Sequence, residues 1–416
     1  MIYYSLATGI AVFLAWILRL PSEQNIKDGK SRSRAAACYC IVMLPLLLLS
    51  AFRWNVGTDT WHTYTPEYLA MKSEITGLSE DEEQIMLQCW KIYSRSALQY
   101  TGEQVQEQTL ADAKEFFTRT YKHTAVGFQA IERALIFLNA DVQWLYTVSS
   151  VIIFTFISAA IYSQSNNPVL AVLMFVITGS YFLSLNIVSQ FMAISICLFA
   201  CSFAEKRKPL LFFLFVSLAA CFHISAFVFL PWYFLPKLKI RPLWCAAAVA
   251  LMFVLAPVGF PLLKEVVSVV APQYTRYFNR EAEFEWIFFA LGLAVFAVGS
   301  YYYQNGENKP YFKLWYYLNV LGLLVLCFSG QIPFLKRINH YFAAPHFLFL
   351  PMIVECENDR LRRIILCTLI IILFIAETVV SVGYMNKNGV LPYQTFFQGD
   401  RLQPLSELLV SMGVTG

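Results

Sequence analysis

The sequence predicts an all-α, polytopic integral membrane protein of about 12 transmembrane helices, with a large extracytoplasmic loop after the second. Three observations lead there. Of 416 residues, 58% are hydrophobic and only 14% charged, whereas a soluble domain carries about 25% charge. Apolar runs approaching the length of a bilayer span recur along the whole chain. Aromatic content reaches 16%, as expected of helices flanked by Trp and Tyr at the headgroup level.

Taken in order, the apolar runs place spans at 2–18, 35–52, 143–162, 168–184, 187–204, 210–223, 224–236, 243–262, 286–303, 314–330, 338–354 and 364–382. The first lacks a basic n-region and a small-residue cleavage site, and so reads as a retained span. The sixth and seventh are short and break near His223, as two tilted spans or a re-entrant pair. Basic residues set the orientation. Arg19, Lys27, Lys30, Arg32 and Arg34 follow the first span. Lys206-Arg207-Lys208, then Lys237, Lys239 and Arg241, then Lys309 and Lys313, then Arg360, Arg362 and Arg363 occupy later alternate loops. All fall on one side, the cytoplasmic one, and both termini then face outward.

The outer side carries the sequence's irregular parts. Residues 53–142 form a loop too long for a plain connector. Glu80-Asp81-Glu82-Glu83 reads as a solvated face. Val126, Phe128, Ile131, Ala134, Leu135 and Leu138 recur at helical spacing. They predict an amphipathic helix on the outer leaflet, with Glu132 and Arg133 on its polar side. Residues 383–416 form an outer tail. With no repeat and no low-complexity linker, residues 1–416 read as a single polytopic membrane domain.

Several function classes drop out. A net charge of +4 is too small and dispersed for nucleic acid, and no nucleic-acid-binding module occurs. Most of the ten cysteines lie in apolar runs, where a thiol behaves as a small hydrophobe. No Cys/His spacing suits zinc, and no metal or cofactor is called for. P-loop, Rossmann, HExxH and GxSxG signatures are absent. So is a regular chain of intramembrane carboxylates; Glu377, inside the last span, stands alone and without an assigned role.

Candidate chemistry concentrates in residues 51–68. There Arg53, Gly57, Asp59, Trp61, His62 and Tyr64 crowd the mouth of a membrane helix. Arg53, Arg276 and Arg337 are exceptions to the positive-inside bias. Each guanidinium fork matches phosphate oxygens bidentately and stays charged when partly desolvated; each also suits plain snorkelling to lipid phosphates. Candidate acids and bases are Asp59, His62, Glu132, His223, Glu283, Glu285 and His340. Among them His223 interrupts an apolar stretch with one titratable group.

The order of segments resembles the EpsG family, which belongs with the Wzy-type polysaccharide polymerases. The matching pieces are Arg53-x-x-x-Gly57-x-Asp59 with Tyr64, Val126-Gly127-Phe128, and Asn186-Ile-Val-Ser-Gln190-Phe-Met-Ala193. Ala219-Ala-Cys-Phe-His223-Ile-Ser-Ala226, Arg337-Ile-Asn-His-Tyr341 and Pro392-Tyr393 complete the series. Family members commonly carry Arg-Gln where this chain has Ser189-Gln190. The resemblance implies a glycosyltransferase that joins undecaprenyl-diphosphate-linked oligosaccharide repeat units on the outer face of the bacterial cytoplasmic membrane, with a Wzz-like chain-length regulator as a further partner. It implies Arg53, Arg276 and Arg337, helped by Gln190, on the diphosphate. Asp59 or His223 would be the base, and Trp61, Tyr64 and Tyr341 would stack on sugars. A GT-C-type lipid-linked sugar transferase, an O-antigen ligase and a flippase are the alternatives.

Overall fold

In the computed structural model the described residues are 1–23, 29–101, 109–122, 124–270, 283–332, 335–397, 401–403, 405 and 407–408. The fold is helical throughout, apart from one two-residue strand pair. The amino-terminal helices are α1 (Ile2–Ile17) and α2 (Gly29–Ala51). Four helices lie in the long loop: α3 (Thr65–Ile75), α4 (Glu80–Thr101), α5 (Leu110–Tyr121) and α6 (Val126–Phe137). Then come α7 (Gln143–Gln164), α8 (Pro168–Ile177), α9 (Ser180–Asn186), α10 (Val188–Glu205) and α11 (Pro209–Phe222). A 3-10 segment, Ile224–Lys237, leads to α12 (Pro242–Val270), α13 (Trp286–Tyr301) and α14 (Tyr303–Gly306). The last four are α15 (Phe312–Leu326), α16 (Leu335–Ala343), α17 (His346–Val354) and α18 (Arg360–Thr378).

The chain is a multi-pass membrane protein, but its spans are less uniform than the hydropathy pattern suggests. Among the described residues, five helices are long and apolar enough to cross a membrane, or six if one bent pair is a single span. Ile2–Ile17, Pro209–Phe222, Trp286–Tyr301 and Phe312–Leu326 are apolar but shorter. The expected span 168–184 is the bent pair. Helices α8 and α9 meet at 54° because Gly179 adopts φ +78, which no helix can continue through. The expected span 338–354 breaks at Ala344–Pro345 into α16 and α17, where proline limits the preceding residue. The predicted break near His223 is present: α11 stops at Phe222, His223 is extended, and the 3-10 segment carries Pro231 and Pro236.

Caps account for several starts. Asn167 accepts from the Leu170 N–H with Pro168 at the first position of α8, and Asp359 accepts from the Arg362 N–H at α18. Thr109 and Asp112 form a reciprocal capping box on α5. At the centre lies α10, packed by α7 and α11 and almost wholly buried. Ser and Ala along it, including Ala193, Ser195, Ala200 and Ser202, let its neighbours approach closely.

The long loop folds into a helical cap. Trp90 packs on Phe116 and Phe117 with ring centroids 5.0 and 5.8 Å apart, and Lys72 pairs with Glu82 at 2.6 Å. Helix α6 is rotated from the expected setting, because Glu132 is fully buried while Val126, Phe137 and Leu138 are exposed. Gly127 fixes that rotation; a Cβ there would lie 2.8 Å from the Cys221 carbonyl oxygen. The strand pair joins Arg53–Trp54 to Gln394–Thr395 antiparallel. It brings the segment around residues 394–395 onto the turn that follows α2.

Candidate functional site

Four distant segments converge on one cleft of about 240 Å³. The first is the turn at Gly57–Asp59. Gly57 adopts φ +98, and a Cβ there would meet the Leu185 carbonyl oxygen at 2.5 Å, so only glycine fits against the end of α9. The second is that helix end, where the Asn186 Oδ1 accepts from the Thr58 hydroxyl at 3.0 Å and from the Asp59 N–H at 2.9 Å. The third is the tail: the Gly57 N–H donates to Gly389 O and the Thr58 N–H to Asn388 O, at 2.9 and 3.1 Å. The fourth is α16, which contributes Lys336, Arg337 and His340.

The backbone of the turn is thus held from two sides, while the Asp59 side chain is left for the cleft. Among the described residues neither the Asp59 carboxylate nor the Arg337 guanidinium has a hydrogen-bond or ion-pair partner. Burial pushes the Asp59 carboxyl above its ordinary value, and the Arg337 and His62 charges pull it partly back. Lys336 also lines the cleft but is paired with Glu285 at 2.8 Å. Lys387, from the tail, lines it too, with its ammonium 5.4 Å from the centre of the Phe288 ring.

Arg337 is exposed at the rim of a carefully tethered helix. Gln190 Nε2 donates to the Arg337 carbonyl at 2.8 Å. His223 Nδ1 lies 2.6 Å from the Ser225 hydroxyl, which lies 2.7 Å from the Tyr341 hydroxyl. Gln190, Tyr341 and His223 therefore fix α16 from behind. None of the three lines the cleft.

Arg53 departs from its expected place. It is 2% exposed, with Nη1 donating to the Ser50 carbonyl and lying within reach of the Ser50 and Ser150 hydroxyls. Its guanidinium sits 4.9 Å over the Tyr146 ring. This arginine ties α2 to α7 and cannot meet a diphosphate in the cleft. The expected sugar-stacking faces are likewise packed away: Trp61, Tyr64 and Tyr341 are all buried. Tyr64 spends its hydroxyl accepting from the Ser189 N–H at 3.1 Å. His62 has both ring nitrogens occupied, by Thr58 O and the Ser96 hydroxyl. Arg276 lies outside the described residues.

Beside the cleft the cap holds two further acids. Glu67 accepts from the Thr124 hydroxyl at 3.1 Å, and burial raises its carboxyl to about 7. Both oxygens of Glu132 are buried without a hydrogen-bond partner. Burial, then the nearby Glu67 charge, pushes that carboxyl well above its ordinary range. Among the described residues no group of three or more His, Cys, Asp or Glu side chains is placed to hold a metal.

Sequence reasoning missed Lys387, Asn186 and Asn388 as cleft residues. The available signal was the motif around Asn186; the pairing of residues 394–395 with the turn after α2 leaves no local pattern in the sequence. Comparison with curated proteins and with solved structures returned no match. The family model for EpsG matches residues 36–395, which takes in all four segments of the cleft, and the chain belongs to the EpsG family.

Proposed function

We propose that this chain is a glycosyltransferase of polysaccharide biosynthesis, a polymerase that joins undecaprenyl-diphosphate-linked repeat units on the extracytoplasmic face of the bacterial cytoplasmic membrane. Membership of the EpsG family supports the polysaccharide role. The observation that carries the reaction is one cleft holding a carboxylate, Asp59, and a guanidinium, Arg337, that have no partner among the described residues, with Lys387 beside them.

The reaction needs what those groups supply. A sugar hydroxyl of the incoming unit attacks the anomeric carbon of the growing chain. The bond from that carbon to the diphosphate oxygen breaks, and the diphosphate leaves with the electron pair. Asp59 takes the hydroxyl proton; its raised proton affinity makes it a stronger base than an exposed aspartate. Arg337 and Lys387 face the charge that grows on the leaving diphosphate, where preorganised cations in a partly dry site count most. No step requires a metal. His223 and Gln190 act here as positioning residues for α16, and Arg53 as a structural tie.

The twelve apolar segments, with their basic loops on one side, support about 12 membrane crossings made partly of short and broken helices. In that arrangement the cleft opens outward. The test is purified protein in lipid with one defined lipid-linked repeat unit and no other protein. A ladder of products is the expected result, and its loss in Arg337→Ala protein of normal thermal stability ties it to the cleft. Single-sugar addition only, or transport without bond formation, would overturn the polymerase reading.

A further inference from the structure

We propose that the protein carries a second ligand site, for a phosphate-bearing anion, at the end of α10 remote from the cleft. Its existence does not depend on the reaction assigned to the cleft. Ile187, which precedes α10, lines the cleft. The last residues of that helix, Ala204 and Glu205, line another cavity of about 240 Å³. The 18 residues of α10, at ~1.5 Å each, set the two roughly 27 Å apart. Helix α10 is long and apolar enough to cross a membrane, so the two cavities belong to opposite faces. The basic loops assign the second to the cytoplasm.

Three segments bring cations to this cavity: Arg207 from the turn after α10, Lys237 from the end of the 3-10 segment, and Lys309 and Lys313 from around the start of α15. Two of them are held in place. Lys309 Nζ donates to the Glu355 carbonyl at 2.8 Å, and the Lys237 ammonium sits 4.9 Å from the centre of the Tyr233 ring. Neither the Arg207 guanidinium nor the Lys313 ammonium has a hydrogen-bond or ion-pair partner among the described residues; both act on Glu205 only at longer range. The lining carboxylates are Glu205, close to the Tyr311 N–H, and Glu307. Cations therefore outnumber acids. Arg207 and Lys237 are exposed while Ala204 and Tyr311 are buried, so the charges surround a recess. A basic loop alone does not produce this: the adjacent Lys206 is spent on Glu23 at 2.6 Å.

The backbone at Arg207 points the same way. The Arg207 N–H donates to Ala204 O at 3.2 Å and the Lys208 N–H to Phe203 O at 2.8 Å. Together they close α10 with a turn whose left-handed position is usually glycine. Here that position is Arg207, at φ 54. An arginine is strained there and a glycine would not be. The guanidinium bonds nothing in the turn, so what arginine adds is a charge at the recess. Tyr311, on the floor, is also left-handed, at φ 66. A guanidinium fork takes phosphate oxygens bidentately, and lysines supply point charges around it. The recess far exceeds the ~10–15 Å³ that one water needs. The chemistry it fits is a phosphate group, carried by an anionic lipid headgroup or by a soluble compound.

The test uses two probes on Arg337→Ala protein, in which the cleft has lost a phosphate contact. Inorganic diphosphate is titrated by calorimetry against the protein in zwitterionic nanodiscs. Phosphatidylglycerol is counted on the protein by native mass spectrometry, against phosphatidylcholine. Saturable binding of at least one probe is expected, and which one binds identifies the source. Adding Arg207→Gly should weaken that binding about tenfold or more. Its melting temperature without ligand should stay level or rise, because glycine suits the turn. Adding Lys313→Gln instead should also weaken binding. Arg360→Gln with Arg362→Gln removes two charges outside this cavity and should leave binding unchanged. Binding of neither probe would overturn the proposal. So would binding that Arg207→Gly and Lys313→Gln leave intact, or an equal loss in the Arg360 and Arg362 control.

Discussion

Two arginines, Arg53 and Arg337, look alike in sequence and differ entirely in the folded chain. Each follows or begins an apolar stretch, each has aromatic neighbours, and each breaks the positive-inside bias. Yet Arg53 is enclosed by Ser50, Ser150 and the Tyr146 ring, whereas Arg337 stands exposed with no partner for its guanidinium among the described residues. The difference lies in what surrounds them. A carbonyl and two hydroxyls at Nη1 and an aromatic face beside it offset part of the burial of the Arg53 guanidinium, whose Nε has no hydrogen-bond partner among the described residues. Around Arg337 the hydrogen bonds from Gln190 and Tyr341 hold the backbone and the helix, and leave the charge unspent. An arginine at a membrane edge is therefore a ligand-binding candidate only when its neighbours hold its backbone and not its head.

Substituting both arginines sharpens this contrast most. Arg337→Ala should lower kcat/KM by about a hundredfold or more with the melting temperature unchanged. Arg53→Ala should instead destabilise the protein by roughly 2–5 kcal/mol, since it leaves a cavity between α2 and α7 and unpairs the Ser50 carbonyl. Its activity should recover in proportion to the protein that stays folded. Equal thermal stability of the two variants would break the comparison.

Asp59→Asn comes next. It keeps the turn, which is tied through backbone groups, and removes the base. A loss of roughly a hundred- to ten-thousand-fold in kcat is expected, with binding of the lipid diphosphate retained in a direct titration. Because the Arg337 charge lowers the Asp59 proton affinity, Arg337→Gln should also move the acidic limb of the residual kcat/KM profile to higher pH. Arg337→Lys should leave that limb near its wild-type position.

Asn186→Ala tests the scaffold. Losing the acceptor for Thr58 and the Asp59 N–H should cut kcat about tenfold by loosening the turn, without shifting the pH profile. A shifted profile would mean that Asn186 acts on the proton rather than on the backbone.

The last test concerns the cap. The folded Glu67 carboxyl is raised from 4.5 to about 7, so the native state holds its proton longer than the unfolded chain does. Stability is full below the lower value and declines as pH rises toward the upper one. The decline is on the order of 3 kcal/mol. Glu67→Gln should flatten that slope, which melting curves across this range would show. An unchanged slope would place the charge elsewhere.

The sequence alone determined the class: the apolar runs, their basic loops and the ordered motifs suffice for a helical membrane protein of this family, because burial in lipid imposes a strong, repetitive pattern. It also marked Asp59 and Arg337. It could not tell which apolar runs stay straight, since the bend at Gly179 and the break before Pro345 depend on how neighbouring helices pack. Nor could it separate Arg53 from Arg337, or turn Glu132 inward, because burial of a polar group is decided by partners on other helices of the fold. The pairing of residues 53–54 with 394–395 and the arrival of Lys387 beside Asp59 belong to the tertiary structure alone. Backbone hydrogen bonds between chain ends leave no periodicity to read.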